Sequence, residues 1–165
     1  MLYPEWVDFT LQRFVMSSDE QCLNASIREY LIPCIRSETS LRKTVRQLQQ
    51  VAGFHSPIPK ENLFGIYDYM STLTPDDRTD PRLELLLNST RFVSDVMDSI
   101  RNLTLVGVKG VSADQLYERI TAKYGDRGTI PRRVRYALAT LRNFGALEHE
   151  GNKWYLVRDL FQQMC

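Results

Sequence analysis

The sequence predicts a mainly α-helical protein in two parts: an N-terminal helical bundle, then three helices closed by a small β-hairpin. Three observations predict it. Apolar residues recur at three- and four-residue spacing through most of the 165 residues. Gly151-Asn152 separates two short runs, Ala146 to Glu150 and Lys153 to Val157, and a two-residue loop of this kind suits a tight hairpin. A polar, acidic stretch from Leu73 to Pro81, bounded by prolines, reads as a linker. The expected parts are a helical domain over 1–78, a second domain over 80–158 and a short tail over 159–165.

The N-terminal part reads as a series of helices. Tyr3 to Met16 places Trp6, Phe9, Leu11, Phe14 and Val15 at helical spacing, with Pro4 in the first turn. Ser17-Ser18-Asp19-Glu20 breaks that helix and offers a cap for the next. Leu23 to Ile35 carries Leu23, Ile27, Tyr30, Leu31 and Cys34 on one face, and Pro33 kinks or ends it. Ser37 to Val51 follows, with Leu41, Val45, Leu48 and Val51. Gly53 to Pro59 is a break, and Lys60 to Thr72 is the next helix. The aromatic residues of the first helix suit core packing before a dimer or partner surface.

Beyond the linker, Arg82 to Leu103 is the longest periodic stretch, either one helix or two split near Asn88-Ser89. Thr104 to Gly110 is a turn or short strand. Val111 to Tyr124 is the next helix, with Ser112 placed to cap its first turn and Leu116 and Ile120 on an apolar face. Gly125-Asp126-Arg127-Gly128 is turn material. Thr129 is placed as the next cap, and Pro131 stands in a first turn where its missing amide costs nothing. Ile130, Val134, Ala137, Leu138, Leu141 and Phe144 form a core-facing stripe. The opposite arc holds Arg132, Arg135, Tyr136, Ala139, Arg142 and Asn143. In the hairpin, Leu147, Trp154 and Leu156 are expected to pack inward, and His149, Lys153 and Tyr155 to face out.

This order of helix, turn, basic helix and hairpin, from about residue 89 to 158, resembles the winged helix-turn-helix superfamily. The resemblance implies binding of double-stranded DNA, as a regulator or as an accessory subunit of a DNA-processing system. An α-helix fits the major groove, and arginine makes paired hydrogen bonds to guanine. Carried over residue by residue, it makes Arg132, Arg135 and Tyr136 base-reading candidates. Arg133, Thr129, Arg127 and Lys123 become phosphate candidates and Lys153 the wing contact. Arg142 lies too late in the helix to read a base. Winged helices also serve as docking modules, so a non-enzymatic scaffold subunit is the alternative. A homodimer or protein partner through the N-terminal helical domain is compatible with either.

Net charge is only +1, but it is unevenly spread. Residues 101–158 hold eleven basic and five acidic side chains, and residues 1–100 hold ten basic and fourteen acidic ones. A phosphate backbone responds to the local field rather than to the total. Ser37-Glu38-Thr39-Ser40 followed by Arg42, Lys43, Val45, Arg46 and Leu48 imitates the later layout, so a second helix-turn-helix over 27–54 stays open beside a plain solvated face.

Other classes find little support. No glycine-rich phosphate loop, Gly-x-Ser-x-Gly elbow or His-Glu-x-x-His occurs. Asp76, Asp77 and Asp80 lie in the proline-bounded stretch, where acids favour solubility over metal binding. Cys22, Cys34 and Cys165 form no Cys-x-x-Cys pair, and His55 and His149 stand apart from them, so neither zinc nor a disulfide framework is expected. No catalytic centre, cofactor, metal or membrane segment is expected, and the composition and reduced thiols point to the cytoplasm.

Overall fold

The computed structural model describes residues 1–160. It is mainly helical, with a helical bundle, then three helices and a small antiparallel sheet. The chain divides into two compact units, Leu2–Thr90 and the residues from Arg91 onward.

The first unit contains α1 (Pro4–Met16), α2 (Glu20–Leu31), α3 (Glu38–Ala52), α4 (Lys60–Ser71) and α5 (Thr79–Ser89). The Asp19 side chain caps α2 by accepting from the Cys22 amide, and Ser37 caps α3 by accepting from that of Ser40. Helix α2 ends at Leu31, before Pro33, which cannot continue the ladder. Helices α1, α2 and α3 pack on one another pairwise, and α5 packs on α1 and α3. Leu11, Leu23, Ile27, Leu31, Leu48, Leu83 and Leu86 form the core. The aromatic residues of α1 find partners inside this unit. Phe9 stacks on Tyr30 at 4.0 Å, and Phe14 is flanked by Phe54 and Phe64.

The stretch expected to be a linker is built into this unit. Pro75–Asp77 forms a 3₁₀ turn and α5 begins at Thr79. Arg82 makes paired hydrogen bonds to Asp8 of α1, at 2.9 and 2.6 Å, and Arg78 reaches the same carboxylate at 3.3 Å. Arg78 also donates to the carbonyls of Met70 and Leu73. These bonds carry the boundary from 78–80 to Thr90, where the long periodic stretch splits. With that boundary the first unit holds nine basic and twelve acidic side chains, and residues 91–160 hold twelve and eight. The charge asymmetry keeps its sign and shrinks.

The second unit contains α6 (Arg91–Leu105), β1 (Val111–Ser112), α7 (Ala113–Tyr124), α8 (Ile130–Asn143), β2 (Leu147–Glu150) and β3 (Lys153–Leu156). Val111 belongs to a strand instead of opening the helix, and α7 starts one residue after the Ser112 cap. Ser112 and Gln115 form a reciprocal capping box. The sheet order is β1-β3-β2, all antiparallel, with Val111 opposite Trp154 and Leu147 opposite Leu156. Gly151 (φ 55°) and Asn152 (φ 64°) both take the left-handed conformation that a two-residue hairpin turn demands. Helices α6, α7 and α8 pack pairwise around Val96, Ile100, Leu116, Ile120, Val134 and Leu138.

His149 is exposed as expected, and it lies opposite Trp154 with the two rings stacked at 4.2 Å. Asp159, placed by the sequence in a tail, is buried, and its carboxylate accepts from Arg101 of α6 at 2.5 and 2.9 Å. The rest of that expected tail, 161–165, lies outside the described residues. Among the described residues, no helix is long and apolar enough to cross a membrane.

Candidate nucleic-acid interface

Helix α8 has two chemically opposite sides. Ile130, Val134, Ala137, Leu138 and Leu141 are buried, which fixes the helix rotationally against α6 and α7. Arg132, Arg135 and Arg142 are then turned to solvent. None of the three makes an ion pair among the described residues. Tyr136 is half-buried on the same side.

The turn before α8 runs from Gly125 to Thr129. Arg127 and Thr129 are both exposed there. Thr129 does not cap the helix as the sequence suggested. Its backbone is already helical (φ −81°, ψ −14°), and its side chain accepts no capping bond. The hydroxyl is therefore not committed to the helix end. Lys153 opens β3, exposed, opposite Ser112 on one side and Glu150 on the other. Gly110 passes against this strand so closely that a Cβ there would lie 3.0 Å from both Lys153 Cβ and the Tyr155 ring. The close passage holds β3 near the end of the loop that follows α6.

Lys123 and Arg133, both singled out by the sequence, are engaged in internal structure. Lys123 Nζ donates to Asp95 Oδ1 at 2.8 Å. Tyr124 donates its hydroxyl to the other oxygen of the same carboxylate. Burial by itself pushes the Asp95 pKa up, but the bonds from Lys123 and Tyr124 outweigh it and hold the carboxyl below its ordinary value. Burial and the Asp95 bond together push the Tyr124 phenol up. Arg133 lays its guanidinium 4.0 Å from the centre of the Phe92 ring and 5.9 Å from that of Tyr124. Asp95, Phe92 and Tyr124 thus form a bracket that ties α6 to the end of α7 and the start of α8. Nothing in the sequence separates Asp95 from Asp98, since both lie off the Val93, Val96, Met97 and Ile100 stripe of α6, and only the fold buries Asp95. A carboxylate buried there requires a cationic or hydroxylic partner.

The available cations are accordingly Arg127, Arg132 and Arg135 around the N-terminal half of α8, with Lys153 on the hairpin. At the other end of the helix, a cavity of about 470 Å³ beside β2 is lined by Arg142 but also by Glu148 and Glu150. Those carboxylates make this end less hospitable to a polyanion. Among the described residues no group of three or more metal-ligating side chains comes together. Comparison with protein-family models, with curated proteins and with solved structures finds no match.

Proposed function

We propose that the protein binds double-stranded DNA through its C-terminal unit as a winged helix-turn-helix. In this reading α8 enters the major groove and the hairpin lies against the neighbouring backbone. The protein then serves as a transcriptional regulator or as a non-enzymatic accessory subunit of a DNA-processing system in the cytoplasm. The observation that carries it is the exposure of Arg132 and Arg135, without an ionic partner among the described residues, on a helix whose opposite side is buried.

Arg132 and Arg135 are the base-edge candidates, each able to present a planar fork to guanine, with Tyr136 beside them. Arg127, Thr129 and Lys153 are the phosphate contacts that set register. Lys123 and Arg133 act indirectly, as parts of the bracket that holds the turn.

Fluorescence anisotropy with a labelled duplex tests this directly. Wild-type affinity should fall steeply with salt, because each phosphate contact releases condensed counterions. Arg132→Glu with Arg135→Glu should weaken binding at low salt severely while the helical circular dichroism stays unchanged. Absence of wild-type binding at low salt overturns the proposal, as does undiminished binding by the double variant.

A second reading, docking to a protein, rests on Leu105 and Val106. They are 75% and 74% exposed at the end of α6, where a duplex-binding surface has no need of two neighbouring apolar side chains.

A further inference from the structure

Acidic residues are distributed unevenly over the helices. Helices α1, α2, α4, α5, α6 and α7 carry two each. Helix α8 carries none, and α3 carries one, Glu38, in its first position. Glu38 is already taken by Arg28 of α2, which donates to both carboxylate oxygens at 2.6 and 2.5 Å. Its approach to Arg42 is loose, at 3.9 Å. From Thr39 to Ala52 no acid follows.

The exposed side of α3 is a continuous stripe of Thr39, Arg42, Lys43, Arg46 and Gln50, spaced three and four residues apart. All five are exposed, while Leu41, Val45, Leu48 and Ala52 are buried on the other side. Among the described residues neither Lys43 nor Arg46 has an ionic partner. Arg28, Arg42 and Arg46 also line an open cavity of about 460 Å³ between α2 and α3, where Glu20, the acid beside them, is taken by His55. A helix face that serves only solubility usually mixes both signs, since pairs four residues apart offset one another. This one does not. Six of the unit's twelve acids lie instead between 61 and 84, in α4, α5 and their connection.

The local architecture matches the charge. Helix α3 is the second helix of a pair joined by the six-residue turn Ile32 to Ser37, and α1 packs on both members. No hairpin follows. The sequence leaves a second helix-turn-helix over 27–54 open, and the structure supplies the pair, the third helix behind it and the exposed cationic stripe.

We infer that the α2–α3 pair is a second duplex-binding site, in which Arg42, Lys43 and Arg46 contact the phosphate backbone without reading base sequence. It extends the duplex-binding proposal above and requires that the protein bind duplex at all.

The test uses the full chain, a labelled 40-base-pair duplex of arbitrary sequence, and a salt titration of affinity. Arg42→Gln, Lys43→Gln and Arg46→Gln together should lower the slope of log affinity against log salt by about 2.7, at about 0.9 for each phosphate no longer neutralised. Thr39→Lys, an exposed addition to the same stripe, should raise that slope by about 0.9. The Arg132→Glu, Arg135→Glu variant runs beside them. A reduced slope in the triple variant and an increased slope in Thr39→Lys support the site. Wild-type binding with both slopes unchanged overturns it and leaves the α8 proposal standing. A reduced slope in the triple variant with no effect at Arg132 and Arg135 supports the site and overturns the assignment of α8. No wild-type binding overturns both.

Discussion

Lys123 Nζ lies 2.8 Å from Asp95 Oδ1, so a cation that the sequence offered to a phosphate is used to join α7 to α6. The Asp95 side chain is only 8% exposed, and Tyr124 takes its second oxygen, whereas Lys123 remains 52% exposed. Asp95→Asn keeps the shape and removes the charge. It should destabilise the C-terminal unit by about 1.5–3 kcal/mol, the range for hydrogen bonds to a charged group. The two tryptophans fall one in each unit, so Trp6→Phe leaves Trp154 as a fluorescent reporter of this unit alone. Urea unfolding followed at Trp154 checks the value, and an unchanged midpoint would contradict the role given to Asp95.

The same carboxylate makes a pH prediction whose sign is fixed. Its pKa is held below the ordinary value of 3.8. A depressed carboxyl contributes stability above its unfolded pKa, and the contribution disappears as pH falls through the folded one. The stability lost by the C-terminal unit below about pH 4 should therefore be smaller in Asp95→Asn than in wild type. Urea midpoints of both proteins, measured from about pH 5 down to about pH 2, provide the comparison.

How far the sequence could be read depended on how local the determining physics was. Helix periodicity, the Ser112 cap, Pro33 as a stop and Gly151-Asn152 as a turn are all set by neighbours in sequence, and each appears in the fold. The boundary at Thr90 was not legible. It depends on Asp8 meeting Arg78 and Arg82, about seventy residues away, and a polar proline-bounded stretch looks the same whether free or clamped. Among the candidate residues, the alternation along α8 separated Arg132 and Arg135 from the core stripe. It could not show that Arg133 leans on Phe92, because that contact crosses from one helix to another.

Asp159 is the strongest case of a residue whose role only the fold reveals. Its side chain has no exposure, and it holds Arg101 through both oxygens, while Asp98 takes the third bond of that guanidinium. Asp159→Ala removes two of those bonds from a mostly buried arginine. Breaking such a pair costs about 3 kcal/mol. A chain truncated after Arg158 should lose a similar amount, and the Trp154-reported urea midpoint should fall in both variants. A fall in neither would mean that the pair contributes little beyond its own desolvation.

At the hairpin tip, Asn152 holds φ 64° without being glycine. An alanine there should cost about 1 kcal/mol, the penalty of a left-handed conformation for a Cβ-bearing residue with no side-chain amide. Asn152→Gly should cost little, because the turn type already favours it. If Lys153 contacts backbone, Asn152→Ala should also weaken duplex binding by loosening the wing, and Asn152→Gly should not. Thermal unfolding and anisotropy on the two variants separate these effects.

Arg133 and Arg135 are two residues apart and make opposite predictions. The Arg133 guanidinium rests 4.0 Å from the centre of the Phe92 ring, a contact worth about 0.5–1 kcal/mol at an exposed site. Arg133→Ala should therefore lower the stability of the C-terminal unit and leave the salt slope of duplex binding close to wild type. Arg135 is exposed and has no ionic partner among the described residues. Arg135→Ala should leave stability within about 0.5 kcal/mol, as surface substitutions usually do. If Arg135 meets the duplex, the same change should lower affinity. A contact to a phosphate lowers the salt slope by about 0.9, whereas a contact to guanine weakens binding mainly on the preferred sequence. Equal effects of the two variants on stability and on binding would mean that the bracket around Asp95 and Phe92 does not divide the basic residues of α8 as the geometry indicates.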